Sequence, residues 1–124
     1  MFLLMERMKF VVEPAGAVGL AYLISKKPSP GKKVVVILAG GNVDMYLLGQ
    51  IVDKGLAAAG RLLVVSMILP DRPGIFKEIV DEIALANVNI VEVNHDRLSS
   101  KVNAGSVTVT LSLETQGKEQ SEKL

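Results

Sequence analysis

The residues of this chain that could do chemistry gather at two glycine-bearing turns and one polar strand end. The first turn, Ala39-Gly40-Gly41-Asn42, follows an apolar run and precedes a helical pattern. In an open α/β sheet, ligands bind at the carboxyl ends of strands. Glycines there let backbone N–H groups approach a phosphate or a cofactor ring, and a helix start favours an anion. A plain turn with glycines at positive φ is the competing reading and weighs more, because short glycine motifs are unspecific. The second turn, Leu69-Pro70-Asp71-Arg72-Pro73-Gly74, is more informative. A strand ends, proline stiffens the chain, and Gly74 opens a helix whose first N–H groups can hold the carboxylate of an amino acid. Asp71 can cap that helix or accept a hydrogen bond from an amino group. A capped strand-to-helix turn without a ligand accounts for these residues about equally well.

His95-Asp96-Arg97 invites an acid–base reading. Neighbours on a strand point to opposite faces, so adjacency makes no dyad, and no motif places a serine for His95 to activate. A solvated strand end is the better reading. Asp81, Glu82 and the acidic residues of the tail read as helix-surface charge. Met5, Met8, Met45 and Met67 read as core filler.

Composition narrows the choices further. The 124 residues contain no cysteine and one histidine. Disulfides, thiolate metal sites, cysteine nucleophiles and multi-histidine metal sites are thereby excluded. A formal net charge of +1 and 4% aromatic residues give neither an electrostatic footprint nor stacking platforms for nucleic acid. The apolar start, Met1 to Met5, is interrupted by Glu6 and Arg7 and reads as no signal peptide. No apolar run reaches the ~20 residues that span a bilayer. The expectation is a cytoplasmic protein with no membrane and no nucleic-acid partner.

These turns need elements to hold them. Residues 1–12 read as a short helix or an extended apolar segment, ended by Glu13-Pro14. Ala15 to Ser25 follow as a helix expected to be buried on nearly every side, with Gly16 and Gly19 admitting close neighbours. After the proline-broken connector 26–31, Lys33 to Leu38 is a continuous β-branched run, expected to be an interior parallel strand covered on both faces. Asp44 is placed to cap the next helix, whose apolar face is Leu47, Leu48, Ile51, Val52 and Leu56, and Gly60 to end it. From Arg61 onward the pattern changes. Arg61 to Leu69 is a strand, Ile75 to Ile83 an amphipathic helix, and Val88 to Val93 a strand. Alternating Ser106 to Leu113 is a strand with one buried face, joined as a hairpin through 94–105. The tail from Gly117 reads as the first polar turns of another helix. The order β-α-β-β-α is that of a β-α-β-β-α-β sandwich lacking its last strand.

At this point the residues resemble a known family. Val11 to Leu20, Val34 to Asp44, and Gly55-Leu56 with Gly60-Arg61-Leu62 are similar to the end of the catalytic domain of threonine dehydratase (threonine ammonia-lyase), which uses pyridoxal phosphate. Leu69 to Gly74 and Ala86 to Arg97 resemble the ACT domain that follows it. The resemblance implies a helix-strand-helix remnant of a PLP fold type II domain at 1–60. It implies a truncated α+β ferredoxin-like ACT domain, βαββα, at 61–124. It implies an elimination of threonine to 2-oxobutyrate and ammonia in the complete enzyme, with serine as a second substrate. The family's Schiff-base lysine and phosphate loop lie in a region with no counterpart here, so no catalytic residue is assigned and the chain alone is expected to be inactive, with no cofactor bound. By resemblance, Glu13, Ala39, Gly40, Gly41 and Asn42 lie near the cofactor ring. Ala39 replaces the serine or other hydrogen-bonding residue that contacts the ring nitrogen in the family.

The resemblance also implies an amino-acid effector (a branched-chain amino acid, threonine or serine) bound between paired domains. Its site would combine Asp71, Arg72, Pro73 and Gly74 with Asn87, Val88, Asn89 and Ile90 from a neighbour. The expected assembly is a homo-oligomer through the ACT sheet. Two alternatives stand beside a regulatory fragment: a free-standing amino-acid-sensing dimer, and one subunit of a split enzyme whose partner brings the lysine.

Overall fold

The computed structural model describes residues 1–26, 28–98 and 103–124. The chain divides into two compact units, Met1–Gly55 and Leu56–Leu124.

The first unit opens on a π-helical segment, Leu4–Met8, which ends where Lys9 takes a left-handed conformation. Helix α1 (Pro14–Ser25) begins with proline at its first position, where the missing N–H is no loss. Helix α2 (Met45–Ala58) is capped as the sequence requires: the Asp44 carboxylate accepts from the Leu47 N–H at 3.0 Å. The small core consists of Leu4, Val12 and Ala17, with Met1, Leu20 and Leu38 against it. Gly16 and Gly19 do admit close neighbours. A Cβ on Gly16 would collide with the Ala39 carbonyl, and one on Gly19 would lie 2.7 Å from a Val36 methyl.

Two expectations fail in this unit. Lys33 to Leu38 forms no strand and pairs with no other segment among the described residues. Val35 and Ile37 are 90% and 83% exposed. Helix α1 buries only Gly16 and Ala17, while Val18, Tyr22 and Ile24 lie open. Helix α2 buries no residue at all. Its apolar stripe exists and is half-buried at Leu48, Ile51, Val52 and Leu56, with the Phe2 ring against Gly55. The core-filler reading fails for Met8 and Met45, which are exposed, and agrees with Met67, which is half-buried against the second unit's core.

The second unit follows the pattern closely. Strand β1 (Leu62–Pro70), helix α3 (Ile75–Leu85), strand β2 (Asn89–Asp96), strand β3 (Ser106–Glu114) and a short α4 (Lys118–Ser121) occur in the expected order. The sheet order is β1-β3-β2, with β3 antiparallel to both neighbours. β1 and β2 therefore run parallel with β3 between them, and α3 makes the crossing. This split β-α-β arrangement is compatible with a ferredoxin-like domain. The alternation of β3 translates directly into burial. Val107, Val109 and Leu111 are fully buried and Leu113 nearly so, while the intervening serines and threonines face outward. Burying each of these apolar side chains stabilises by roughly 1.5–3 kcal/mol. Ile83 and Val88 complete the core, with Leu63, Val65, Met67, Leu69, Phe76 and Ile79 packed against it.

Two helix ends in this unit close in the same way. Past α2, the Arg61 N–H donates to Leu56 O and the Gly60 N–H to Ala57 O, with Gly60 at φ +68. Past α3, the Val88 N–H donates to Ile83 O and the Asn87 N–H to Ala84 O, with Asn87 at φ +55. Both are Schellman closures, and each needs a residue that tolerates the left-handed region.

Candidate functional site

In the first unit, Glu13 and the Ala39–Asn42 turn do meet. The Glu13 N–H donates to Gly40 O at 3.0 Å, and the Glu13 side chain lies over Gly40, where a Cβ would strike its carboxylate. The contact joins the start of α1 to the turn that precedes α2. It does not enclose a ligand: Ala39 to Asn42 are all exposed, and open space surrounds Gly41. Ala39 brings no side-chain donor or acceptor for a ring nitrogen. These residues by themselves do not fit a pyridoxal phosphate site.

In the second unit, the Asp71–Gly74 turn has a definite internal structure. The Asp71 N–H donates to Gly105 O at 2.9 Å, which extends the β1–β3 ladder by one step. Gly74 is the residue before α3, with φ +91, and no side chain caps the helix. Asp71 therefore does not serve as the helix cap. Its carboxylate instead receives the Arg97 guanidinium at 3.0 Å, from the end of β2. Arg72 reaches forward to Glu78 at 3.3 Å. The start of α3 is thus left to backbone groups, bordered by two arginines.

Asn87 to Ile90 lie elsewhere. The register pairs Pro70 with Ser106 at one end of β1 and Leu62 with Glu114 at the other, and Asn89 pairs with Glu114. The Asp71 turn and Asn89 are consequently at opposite ends of the sheet, roughly 25 Å apart along the strands. Val88 is buried and Ile90 half-buried, both in the core. Asn87 spends its backbone on the helix closure, and Asn89 Nδ2 donates to Glu114 Oε2 at 3.3 Å. Asn87, Asn89, Glu114, Thr115 and Gln116 border an open polar depression of about 500 Å³. Close by, Thr115 Oγ1 donates to Gly60 O at 2.6 Å and Gln120 Nε2 to Ala86 O at 3.0 Å. One chain does not bring its two groups of expected effector residues together.

Sequence reasoning missed Arg97 as the partner of Asp71, and Glu114 and Gln120 beside Asn87 and Asn89. The first could be inferred only from the pairing of β2 with β3, since Arg97 lies 26 residues from Asp71. His95 and Asp96 stand opposite Val109 and Thr108 respectively, on alternate faces, and form no dyad. Among the described residues no group of three metal-ligating acidic or histidine side chains occurs, and no helix is long and apolar enough to cross a membrane.

Comparison with known proteins gives clear relatives. The chain is 40% identical over 122 residues to an L-threonine ammonia-lyase of Geobacter sulfurreducens, covering 98% of this chain and 30% of that protein. It is 36% identical over 121 residues to an L-threonine ammonia-lyase of Thermotoga maritima, with the same two coverages. A biosynthetic L-threonine dehydratase of Bacillus subtilis is 30% identical over 107 residues, which is 25% of its length. The chain thus spans less than a third of the curated relatives it matches. No family model matches it, and no solved structure does so significantly.

Proposed function

This chain is a homologue of the L-threonine ammonia-lyases along almost its whole length, and on that footing we propose that it is the amino-acid-binding regulatory portion of a threonine dehydratase. In this reading residues 1–60 are the end of the catalytic domain and 61–124 an ACT-type module. The complete enzyme converts threonine to 2-oxobutyrate and ammonia. Pyridoxal phosphate supplies the electron sink for that elimination when it is bound. This chain's own contribution is to bind and report an effector, not to catalyse. The observation that carries the reading is the collinear homology over 98% of the chain, shared by two ammonia-lyases. The second unit supports it with charged neighbours for a carboxylate and an amino group, Arg97 and Asp71, beside a start of α3 that no side chain caps. An effector bound there would act by favouring one arrangement of paired modules over another. Because Asp71 and Asn89 are separated within one chain, a site that uses both requires a second copy.

Isothermal titration with isoleucine, valine, threonine and serine tests the effector role. Heat from at least one, abolished by Asp71→Ala, is expected, and no heat from any overturns it. Threonine deamination by the chain alone with added pyridoxal phosphate would refute the claim that it is not catalytic.

A second reading is favoured by one observation. The run Val34 to Leu38 is apolar and pairs with no described segment, as expected of a strand whose neighbours reside in another chain. A split enzyme would supply them together with the lysine. Co-purification with a lysine-bearing chain is its test, and a clean homo-oligomer its refutation.

A further inference from the structure

The polar depression at the Asn89 end of the sheet is held from behind by a frame of hydrogen bonds. Thr115, 3% exposed, fixes one wall: its hydroxyl donates to Gly60 O at 2.6 Å and its N–H to Arg61 O. Gln120 fixes the other. Its Oε1 accepts from the Gln116 N–H at 2.8 Å, while its Nε2 donates to Ala86 O at 3.0 Å. The connections α2 to β1, α3 to β2 and β3 to α4 are thereby tied together around the opening. Walls fixed before binding spare a ligand the cost of ordering them.

The charge at this opening is one-sided. Among the bordering residues Glu114 alone is ionisable; Asn87, Asn89, Thr115 and Gln116 are neutral and polar, and Ala84 and Val88 supply the apolar surface. Glu114 Oε2 accepts from Asn89 Nδ2 at 3.3 Å, and no cation among the described residues pairs with it. The Asp71 carboxylate differs, since Arg97 already meets it at 3.0 Å. The side-chain amides of Asn87 and Gln116 bond to nothing else among the described residues, so their carbonyl oxygens remain able to accept. An ammonium group brings a positive charge and three protons to place, and a carboxylate beside two amide oxygens answers both. A ligand's carboxylate would find no cation here.

We propose that Glu114 binds the ammonium group of an α-amino acid and thereby makes that group a requirement for binding. The inference rests on the effector reading and deepens it, moving the ammonium end of the ligand from Asp71 to Glu114. Asp71 then serves, in the neighbouring copy that the effector reading calls for, to hold Arg97 for the carboxylate. The walls offer little apolar surface to a branched side chain, so this depression selects the amino group and not the substituent beyond it. A site that bonds a ligand's N–H groups rejects an analogue lacking them, because its own polar groups are then left unpaired. A hydroxyl in place of the ammonium keeps the size and loses the charge-assisted bond.

Isothermal titration of the 124-residue chain tests this with isoleucine, valine, threonine and serine, each beside the 2-hydroxy acid of the same carbon skeleton. The expected result is binding of at least one amino acid, with its hydroxy acid at least about tenfold weaker. Glu114→Gln should weaken the amino acid by at least about tenfold. Asp81→Asn, the same loss of charge on the exposed surface of α3, should leave it unaltered. The glutamine keeps an oxygen for Asn89 Nδ2, so urea denaturation should give Glu114→Gln the stability of wild type. A purely structural Glu114 would instead lower stability and leave the ratio of the two affinities unchanged. Amino-acid binding undiminished in Glu114→Gln, or a hydroxy acid bound as tightly as its amino acid, would overturn the Glu114 assignment and leave the effector reading standing. No heat from any of the amino acids would overturn both.

Discussion

Val34 to Leu38 and Ser106 to Leu113 are both rich in β-forming residues, and the more hydrophobic of the two is the one that forms no strand. The run Val-Val-Val-Ile-Leu has no regular secondary structure, and Val35 and Ile37 are almost fully exposed. The alternating Ser-Val-Thr-Val-Thr-Leu-Ser-Leu is bonded on both sides, and its apolar half is buried. Hydrophobicity is therefore not what separates them. A strand is a relation between segments: each must satisfy its neighbours' backbone groups as well as cover its own side chains. β3 needs two strands and one helix, all encoded within some 50 residues of it. The apolar run needs cover on both faces and strands on both edges; only Val36 and Leu38 find partial cover, and no described segment pairs with it.

The contrast can be tested at several points, beginning with the largest effect. Leu111→Ala should destabilise the second unit by about 2–5 kcal/mol, because it opens a cavity in the centre of the packed face. Urea denaturation followed by circular dichroism measures this, and a cost under 1 kcal/mol would show that β3 is not the centre of the unit. Gly60→Ala should cost more than about 1 kcal/mol, since the position needs the left-handed region and a Cβ would come within 2.5 Å of the Lys118 amide. Asn87→Ala should lose roughly 1 kcal/mol while Asn87→Gly loses nothing, if the Schellman closure is what Asn87 serves. A loss of effector binding in Asn87→Gly at unchanged stability would instead give its side chain a ligand role. The smallest effect is expected in the exposed run. Ile37→Ser should change stability by less than about 0.5 kcal/mol, as an uncovered side chain has no packing to lose. Hydrogen exchange sharpens the same point. The amides of Val34 to Leu38 should exchange fast and those of Val107 to Leu113 slowly, and comparable protection in both would dissolve the contrast.

Much of the second unit was readable in advance because its determinants are local. Period-two burial in β3, the amphipathic spacing of Ile75 to Ile83 and the breaker Gly60 each act within a few residues of themselves. Pro14 and Asp44 in the first unit were readable for the same reason. The failures share a different cause. The strand at Lys33 to Leu38 and the burial of α1 were both inferences about neighbours. Apolar pattern states that cover is needed, not that it is present. Gly74 does precede α3 at positive φ, while Asp71 pairs with Arg97 and does not cap the helix. The effector residues named from the sequence form two groups. Their separation to opposite ends of the sheet was not legible, since it depends on the register of β1 and β2 against β3. Arg97 was missed for the same reason.

By itself, then, the sequence determined where helices begin and end, which face of β3 is buried, and which family the chain resembles. These depend on short-range stereochemistry and on residue identity. Tertiary structure alone decided that Asp71 pairs with Arg97, that Asn89 stands far from both, and that Val34 to Leu38 pairs with no described segment. Each of those facts is a pairing between segments distant in sequence. Hydrogen-bond direction and register exist only once two strands lie side by side.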